Sequence, residues 1–214
     1  MVDLTLYAAF LVAAFALCLT PGPDMLFVVA MGARGGPVAG VMAATGVAFG
    51  ALVHAVAAVL GLSALFTTLP VLYHAIRWAG AAYLLYLAVK AFRDRSGLGS
   101  EDERAASERA SGPGLLRAFW QGTVTNLLNP KVILFNVVFL PQFVSPGLGH
   151  VGRQLLILGA TLVLAGLAVD ASIGLLAGRL SSLLRRSRRV ARGLGIFSGS
   201  VFAALAVRLV AAPK

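Results

Sequence analysis

The stretch Thr20-Pro21-Gly22-Pro23-Asp24 interrupts a long apolar run near the amino terminus. A proline inside a helix removes a backbone hydrogen bond and clashes with the preceding turn. Two prolines and a glycine in succession therefore predict an unwound segment between two half-helices. The carbonyl groups freed there must face protein, water or a ligand, because lipid offers them no hydrogen-bond partner.

The composition of the chain places this interrupted run in a membrane. Of 214 residues, 59% are hydrophobic and only 12% are charged, whereas an ordinary soluble domain is about 25% charged. Such a chain has too few polar side chains to cover a globule in water. The composition excludes a disordered protein and a secreted enzyme, and the single cysteine, Cys18, excludes an internal disulfide.

Six apolar stretches approach the roughly 20 residues that a helix needs to cross the hydrocarbon core. They cover about residues 4–30, 38–65, 69–92, 115–140, 155–177 and 194–212. The first is interrupted at Pro21-Gly22-Pro23 and the fourth at Asn129-Pro130. We predict an all-α polytopic membrane protein with six transmembrane helices.

The net charge of +10 comes mostly from two short segments that follow the third and fifth apolar stretches. Their basic residues are Lys90, Arg93, Arg95, Arg104, Arg109, Arg117, Arg179, Arg185, Arg186, Arg188, Arg189 and Arg192. Charge that clusters in connections follows the positive-inside rule and argues against nucleic-acid binding. We predict that these connections are cytoplasmic and that both termini lie outside.

A polar stretch over residues 93–114 separates two apolar halves, residues 1–92 and 115–214, with three predicted spans each. Because three is odd, a repeat of one half in the other is inverted in the membrane. Gly50 precedes His54 by four positions, as Gly166 precedes Asp170. Broken spans open both halves, a pattern typical of transporter binding sites. We predict one membrane domain of two inverted three-helix repeats, joined by a cytoplasmic linker.

Asp24 and Asp170 are the only acidic residues within the predicted spans. A charged side chain at the bilayer centre costs ~2.5–3.5 kcal/mol or more on insertion scales, so both residues are candidates for function. Asp24 follows the proline break, where a half-helix begins and its positive dipole end favours an anionic group. The alternative is structural, in which either residue caps a half-helix or faces water at an interface.

Asn129-Pro130-Lys131 marks the break in the fourth span. Lys131 is a candidate partner for Asp24 or for a substrate carboxylate, with Asn126 and Asn129 as amide donors and acceptors beside it. Alternatively, the Lys131 ammonium reaches the membrane surface. His54 is a candidate for a proton path, because histidine titrates near physiological pH; a packing role is its alternative.

The two proline motifs together resemble the lysine exporter (LysE) family, and more narrowly its homoserine/threonine exporter (RhtB-type) branch. Leu60-Gly61-Leu62 after the second-span histidine and Gly193-Leu194-Gly195 after the arginine-rich stretch are also similar to the family's pattern. This resemblance covers essentially the whole chain. It implies a bacterial inner-membrane efflux carrier for amino acids or small derivatives, driven by the proton-motive force. It carries over Pro21–Pro23, Asn129-Pro130-Lys131 and Asp170 as site positions.

We predict a secondary active exporter and no enzyme, because the sequence holds no phosphate-binding loop, catalytic motif or paired-histidine metal motif. The predicted substrate-binding residues are Thr20, Pro21, Gly22, Pro23, Asp24, Asn126, Asn129, Pro130 and Lys131, and the predicted proton-coupling residues are Asp170 and His54. The expected partners are a small-molecule substrate, protons and the lipid bilayer, with no cofactor or metal; small residues in several spans permit a homodimer. The alternatives are a passive pore or uncoupled permease, and a non-transporting membrane scaffold.

Overall fold

Every regular element in the described part of the chain is a helix, which confirms the all-α prediction. The computed structural model describes residues 2–68, 78, 81–82, 85–86, 88–89, 92–93, 114–186, 192–193, 196–197, 199–200, 203–204, 206–207 and 210. The α-helices are α1 (Leu4–Leu19), α2 (Pro23–Thr68), α3 (Leu115–Leu127), α4 (Pro130–Leu134) and α5 (Val151–Arg186). Between α4 and α5 lie a π-helical turn (Phe135–Phe139) and two 3-10 turns (Leu140–Phe143 and Pro146–Leu148).

The interruption predicted in the first span is present between α1 and α2. Asp3 caps the start of α1, where its carboxylate accepts a hydrogen bond from the backbone N–H of Leu6 at 2.9 Å. α1 ends at Leu19, and Thr20 takes an extended conformation. Pro23 then begins α2, where its missing N–H and its fixed φ suit the first helical position.

The connection predicted between the first two spans is reduced to a kink inside α2. Gly36 is the single non-helical residue there, with φ 81° and ψ 176°, and Pro37 follows it. Positive φ is readily available to glycine, and Pro37 carries no N–H that would need a helical partner. The helical backbone therefore resumes at once, and the expected loop shrinks to one residue.

The fourth predicted span is broken at Asn129, as the sequence indicated. α3 and the helical run from Pro130 to Phe143 meet at an angle of 52°. The Asn129 side chain accepts a hydrogen bond from the backbone N–H of Lys131 at 3.0 Å and so caps α4, while Pro130 occupies its first turn. A sharp bend with a capped restart places two new helix ends inside the apolar region.

Two described helical stretches, Pro23–Gly61 and Val151–Ala177, are long and apolar enough to cross a membrane. The bent pair of α3 and Pro130–Phe143 makes a third if it forms a single span. α1 is apolar but has 16 residues. The predicted spans over residues 69–92 and 194–212 and the linker over 93–114 lie mostly outside the described residues, so the count of six spans and the inverted repeats stay predictions.

α2 packs against both α3 and α5 at positions where only glycine fits. A Cβ atom at Gly46 would collide with the carbonyl group of Phe119 in α3. A Cβ atom at Gly40 would lie 2.6 Å from the carbonyl oxygen of Gly174 in α5. Small residues that let backbones approach closely are typical of helix contacts in membranes. These contacts fix the positions of the two broken segments relative to α5.

Large apolar side chains cover much of the outer surface of the described helices. Leu4, Leu60, Leu128 and Leu164 are each more than 60% exposed. A soluble monomer rarely exposes apolar area on this scale, whereas lipid solvates it without cost. The outer surface is therefore that of a membrane-embedded protein, and polar side chains are turned toward the interior.

Candidate functional site

Asp24 lies in the first turn of α2 and is held there by two amides from the second break. Its Oδ2 atom accepts hydrogen bonds from Nδ2 of Asn126 and from Nδ2 of Asn129, both at 2.8 Å. All three side chains are buried. Hydrogen bonds to an ionised acceptor are the stronger kind, and the positive end of α2 also favours the carboxylate. Asp24 accepts these bonds from side chains and not from backbone N–H groups of α2, so whether its role is structural or functional stays a prediction.

Lys131 lies at the opposite end of the first break. Its Nζ atom donates hydrogen bonds to the carbonyl oxygens of Leu17, at 3.2 Å, and Thr20, at 3.0 Å. The Leu17 carbonyl lies in the last turn of α1, where it also accepts a hydrogen bond from the backbone N–H of Thr20 at 3.2 Å, and Thr20 is the residue that follows the helix. A cation is stabilised at a helix C-terminus. The Lys131 ammonium forms no hydrogen bond with Asp24 among the described residues, and its depth in the membrane stays a prediction.

Gly22 makes room for this arrangement. A Cβ atom at position 22 would lie 3.1 Å from Nζ of Lys131 and 3.4 Å from its Cε. A larger residue would push the ammonium away from the α1 carbonyls. Thr20 adds a further bond, because its hydroxyl donates to the carbonyl oxygen of Ala16 at 2.6 Å. The two breaks are thus joined to each other by side chains rather than left open.

A cavity of about 50 Å³ lies beside these bonds. All five α-helices contribute to its lining, and its polar residues are Asp24, Asn126, Lys131, Asp170 and Cys18. The rest of the lining is apolar: Leu17, Met25, Val47, Ala48, Ala51, Val132, Leu162, Val163, Gly166 and Leu167. Since one water needs about 10–15 Å³ on this measure, the cavity has room for a few waters or for one charged group of a small solute.

Asp170 reaches this cavity from the interior of α5, and its side chain is only 8% exposed. No side-chain hydrogen bond to its carboxyl group is formed within the part of the chain that the structure describes. Its charged neighbours are Asp24 and Lys131. The two acidic residues of the predicted spans therefore share one cavity but differ in their surroundings.

Two acceptor atoms beside the cavity are buried without a donor among the described residues. They are Oδ1 of Asp24 and Oδ1 of Asn126. A buried acceptor without a partner costs about 1–3 kcal/mol, so native sites seldom keep one without use. The arrangement suits a solute that carries N–H donors.

A protein-family match agrees with this arrangement of buried charges between broken helices. A family model described as "LysE type translocator" matches residues 15–212. The chain belongs to the LysE family. It is a membrane transporter and not an enzyme, as predicted, while the narrower homoserine/threonine exporter branch stays a prediction.

Relatives of this LysE-family chain cover most of its length. It is 34% identical over 195 residues to an uncharacterized membrane protein of Pseudomonas aeruginosa, covering 91% of this chain and 89% of that protein. It is 36% identical over 159 residues to the uncharacterized membrane protein YrhP of Bacillus subtilis, with 73% and 75% covered. It is 32% identical over 203 residues to the leucine efflux protein of Salmonella typhimurium, with 95% and 93% covered. No solved structure matches the chain.

Most of the predicted site residues of this LysE-family transporter come together. Asp24, Asn126, Lys131 and Asp170 line the cavity. Thr20, Pro21, Gly22, Pro23, Asn129 and Pro130 build the breaks beside it. His54 is not among the lining residues; its Nε2 atom lies 3.4 Å from the backbone oxygen of Asn126, at the long end for a hydrogen bond. A role for His54 in a proton path stays a prediction.

Sequence reasoning missed two features of the site. Cys18 was singled out as evidence against an internal disulfide, yet it is partly exposed and lines the cavity. Its position just before the proline break was the available signal. Thr123 was not singled out, although its hydroxyl lies 3.0 Å from the carbonyl oxygen of Gly46 and ties α3 to α2. Among the described residues no group of His, Cys, Asp and Glu is arranged to hold a metal ion.

Proposed function

We propose that this protein is a secondary active exporter of amino acids or small amino-acid derivatives across the bacterial inner membrane, driven by exchange with protons. The observation that carries the proposal is the cavity in which Asp24, Lys131 and Asp170 meet between two broken helices. A charged residue within a membrane protein is costly and therefore marks a substrate or ion path by default. Relatives named as leucine efflux proteins support amino acids as the substrate class.

The Lys131 ammonium is the proposed contact for the substrate carboxylate. A lysine ammonium has three N–H donors, and two of them are used by the carbonyls of Leu17 and Thr20. The third is available at the cavity without breaking the cap on α1. Asn126 and Asn129 serve mainly to hold Asp24 in this proposal, so their contact with the substrate is indirect.

Asp170 is the proposed proton carrier. Asp170 belongs to a long apolar helix, and its carboxyl group lies at the cavity. One charge that moves through a membrane potential of 100 mV corresponds to ~2.3 kcal/mol. That energy supports a useful substrate gradient when a proton enters as the solute leaves. The apolar walls favour a solute with an aliphatic side chain. Separation of the helices around the cavity is required, because the space described admits only part of an amino acid.

The test is flux of labelled amino acids in proteoliposomes with an imposed proton gradient, comparing the wild type with Asp170→Asn. We expect wild-type flux of one or a few apolar amino acids, and a decrease of about tenfold or more in the variant, equivalent to ~1.4 kcal/mol. Asp3→Asn is the matched control. Asp3 lies outside the cavity, and asparagine caps a helix as well as aspartate does.

The alternatives give different results in the same experiment. Flux that persists without the gradient and in Asp170→Asn indicates an uncoupled permease or a pore. Absence of flux across a broad panel, from protein that is shown to be folded, contradicts the exporter and favours the scaffold alternative.

A further inference from the structure

Asp170 differs from Asp24 in having no hydrogen-bond donor among the described residues. Asp24 is bonded by two amides and lies at a helix N-terminus. Asp170 lies in the middle of α5, is only 8% exposed and faces the cavity with no hydrogen bond within the described part of the chain. An ionised carboxylate in such a place is unfavourable unless a cation or a donor faces it.

The groups that surround Asp170 do not supply that donor. α1 contributes Cys18, α2 contributes Asp24 and α4 contributes Lys131 to the cavity, while α3 contributes the neutral Asn126. The Lys131 ammonium is bonded to the end of α1, and the free Oδ1 of Asp24 is itself an acceptor. The cavity therefore has more carboxylate acceptors than donors to meet them.

We propose that the Asp170 carboxylate is the receptor for the ammonium group of the transported amino acid, and that this ammonium and the transported proton exclude each other there. The inference rests on the proposed function and adds to it the contact that couples substrate to proton. Without substrate, Asp170 carries a proton, which removes the buried charge. An arriving ammonium supplies a positive charge and N–H donors, so the carboxylic O–H gives up its proton to water and N–H···O bonds form.

Mutual exclusion at one carboxyl group is sufficient for antiport. The carrier changes between its two open conformations either with a proton on Asp170 or with an ammonium bound opposite it. No covalent bond of the substrate changes. The coupling ratio is then one proton for each amino acid. Conformations that carry neither cation leave a bare carboxylate in an apolar cavity and are disfavoured.

The same geometry defines the substrate class. The ammonium pairs with Asp170, the carboxylate takes the remaining N–H of Lys131, and an aliphatic side chain lies along Val47, Ala51 and Leu162. Primary α-amino acids with apolar side chains meet all three conditions. An analogue that lacks the ammonium keeps the carboxylate contact but leaves the Asp170 proton in place.

The test measures proton release on binding, by calorimetry of the purified full-length protein in two buffers of different protonation enthalpy. The probes are leucine, leucinamide, which keeps the ammonium without the carboxylate, and 2-hydroxy-4-methylpentanoate, which keeps the carboxylate without the ammonium. We expect about one proton released for each leucine or leucinamide bound, and none for the hydroxy acid. In Asp170→Asn we expect no proton release and a loss of leucine affinity of about tenfold or more.

The controls separate the two proposals. Asp3→Asn is expected to behave as the wild type does, and thermal unfolding establishes that Asp170→Asn is folded. Leucine bound without proton release, or release that persists in Asp170→Asn or with the hydroxy acid, overturns this inference and leaves an amino-acid carrier. No binding of any amino acid by the folded wild type overturns the proposed function, and this inference with it.

Discussion

At the scale of single residues, two aspartates with the same chemistry have different tasks because their neighbours differ. Asp24 accepts two amide hydrogen bonds at the start of a helix, which stabilise its charge without any ligand. Asp170 has no such donors among the described residues, and in our proposal it depends on a cation that enters the cavity. We therefore expect Asp24 to matter for the architecture of the break and Asp170 for coupling.

Substitution of Asp24 distinguishes these tasks. Asp24→Asn keeps a carbonyl oxygen that accepts from Asn126 and Asn129, whereas Asp24→Ala leaves two buried N–H donors unpaired. We expect Asp24→Ala to be less stable than Asp24→Asn by about 1–3 kcal/mol or more, the cost of a buried unsatisfied group. Thermal unfolding in detergent, followed by tryptophan fluorescence, measures the difference. Equal stability would show that the two amides find other partners when the carboxylate is removed.

At the scale of helices, side chains from the second break form hydrogen bonds with both helix ends of the first break. Lys131, at the start of α4, bonds to the last carbonyls of α1, while Asn126 and Asn129, at the end of α3 and the start of α4, bond to the first turn of α2. The end of α1 thus receives the Lys131 cation, and the start of α2 carries the Asp24 carboxylate that the two amides hold, so each helix end has the charge that its dipole favours. This reciprocal arrangement requires α2 and α3 to lie close together, which small residues along their contact permit.

Two glycines of α2 test the close approach. A Cβ atom at Gly46 would collide with the Phe119 carbonyl of α3, whereas nothing lies within 4 Å of a Cβ atom at Gly61. We expect Gly46→Ala to lower the free energy of unfolding by about 1–3 kcal/mol or more and to reduce transport, because α3 must move away. Gly61→Ala is expected to be neutral or slightly stabilising, since alanine favours helix more than glycine. The measurements are the free energy of unfolding and the transport flux of both variants. Similar losses in Gly46→Ala and Gly61→Ala would refute the packing argument.

At the scale of the whole molecule, the two breaks meet at one cavity although they are far apart in sequence. Asp24 and its amide partners are 102 and 105 positions apart. Meeting of the leading spans of two halves is the arrangement that two-repeat carriers use for alternating access. Rocking of one half against the other would then open the cavity to either side in turn, a motion that stays part of the proposal.

The predicted orientation has a direct test in the full-length chain. Fusion of alkaline phosphatase after Lys214 is expected to be active, because the enzyme needs the oxidising periplasm to form its disulfides. The same fusion at Ser100, in the arginine-rich linker, is expected to be inactive because positive connections face the cytoplasm. An inactive fusion at Lys214 together with an inactive one at Ser100 would show an even number of spans between residues 100 and 214. Activity at Ser100 would contradict the orientation itself.

Local features of the chain were predictable from the sequence alone. A proline inside an apolar run removes a helical hydrogen bond, so the breaks at Pro21–Pro23 and Asn129-Pro130 follow from the residues themselves. The length of an apolar stretch and the energetic cost of a charge in lipid are also properties of a single segment. The sequence alone therefore indicated the membrane class and the candidates Asp24, Lys131 and Asp170. The sequence did not distinguish a one-residue kink at Gly36 from a short loop, because a tight connection and a short loop have the same composition.

The partners of these residues follow from the tertiary structure and not from the sequence pattern. Lys131 bonds to the carbonyls of Leu17 and Thr20 rather than to Asp24. Asn126 and Asn129 are the partners of Asp24. Asp170 has no hydrogen-bond donor among the residues that the structure describes. Hydrogen bonds depend on distances of about 3 Å between atoms, and these partners are more than a hundred positions apart along the chain. No local pattern determines such distances; close packing of α2 against α3 and α5 at glycines does.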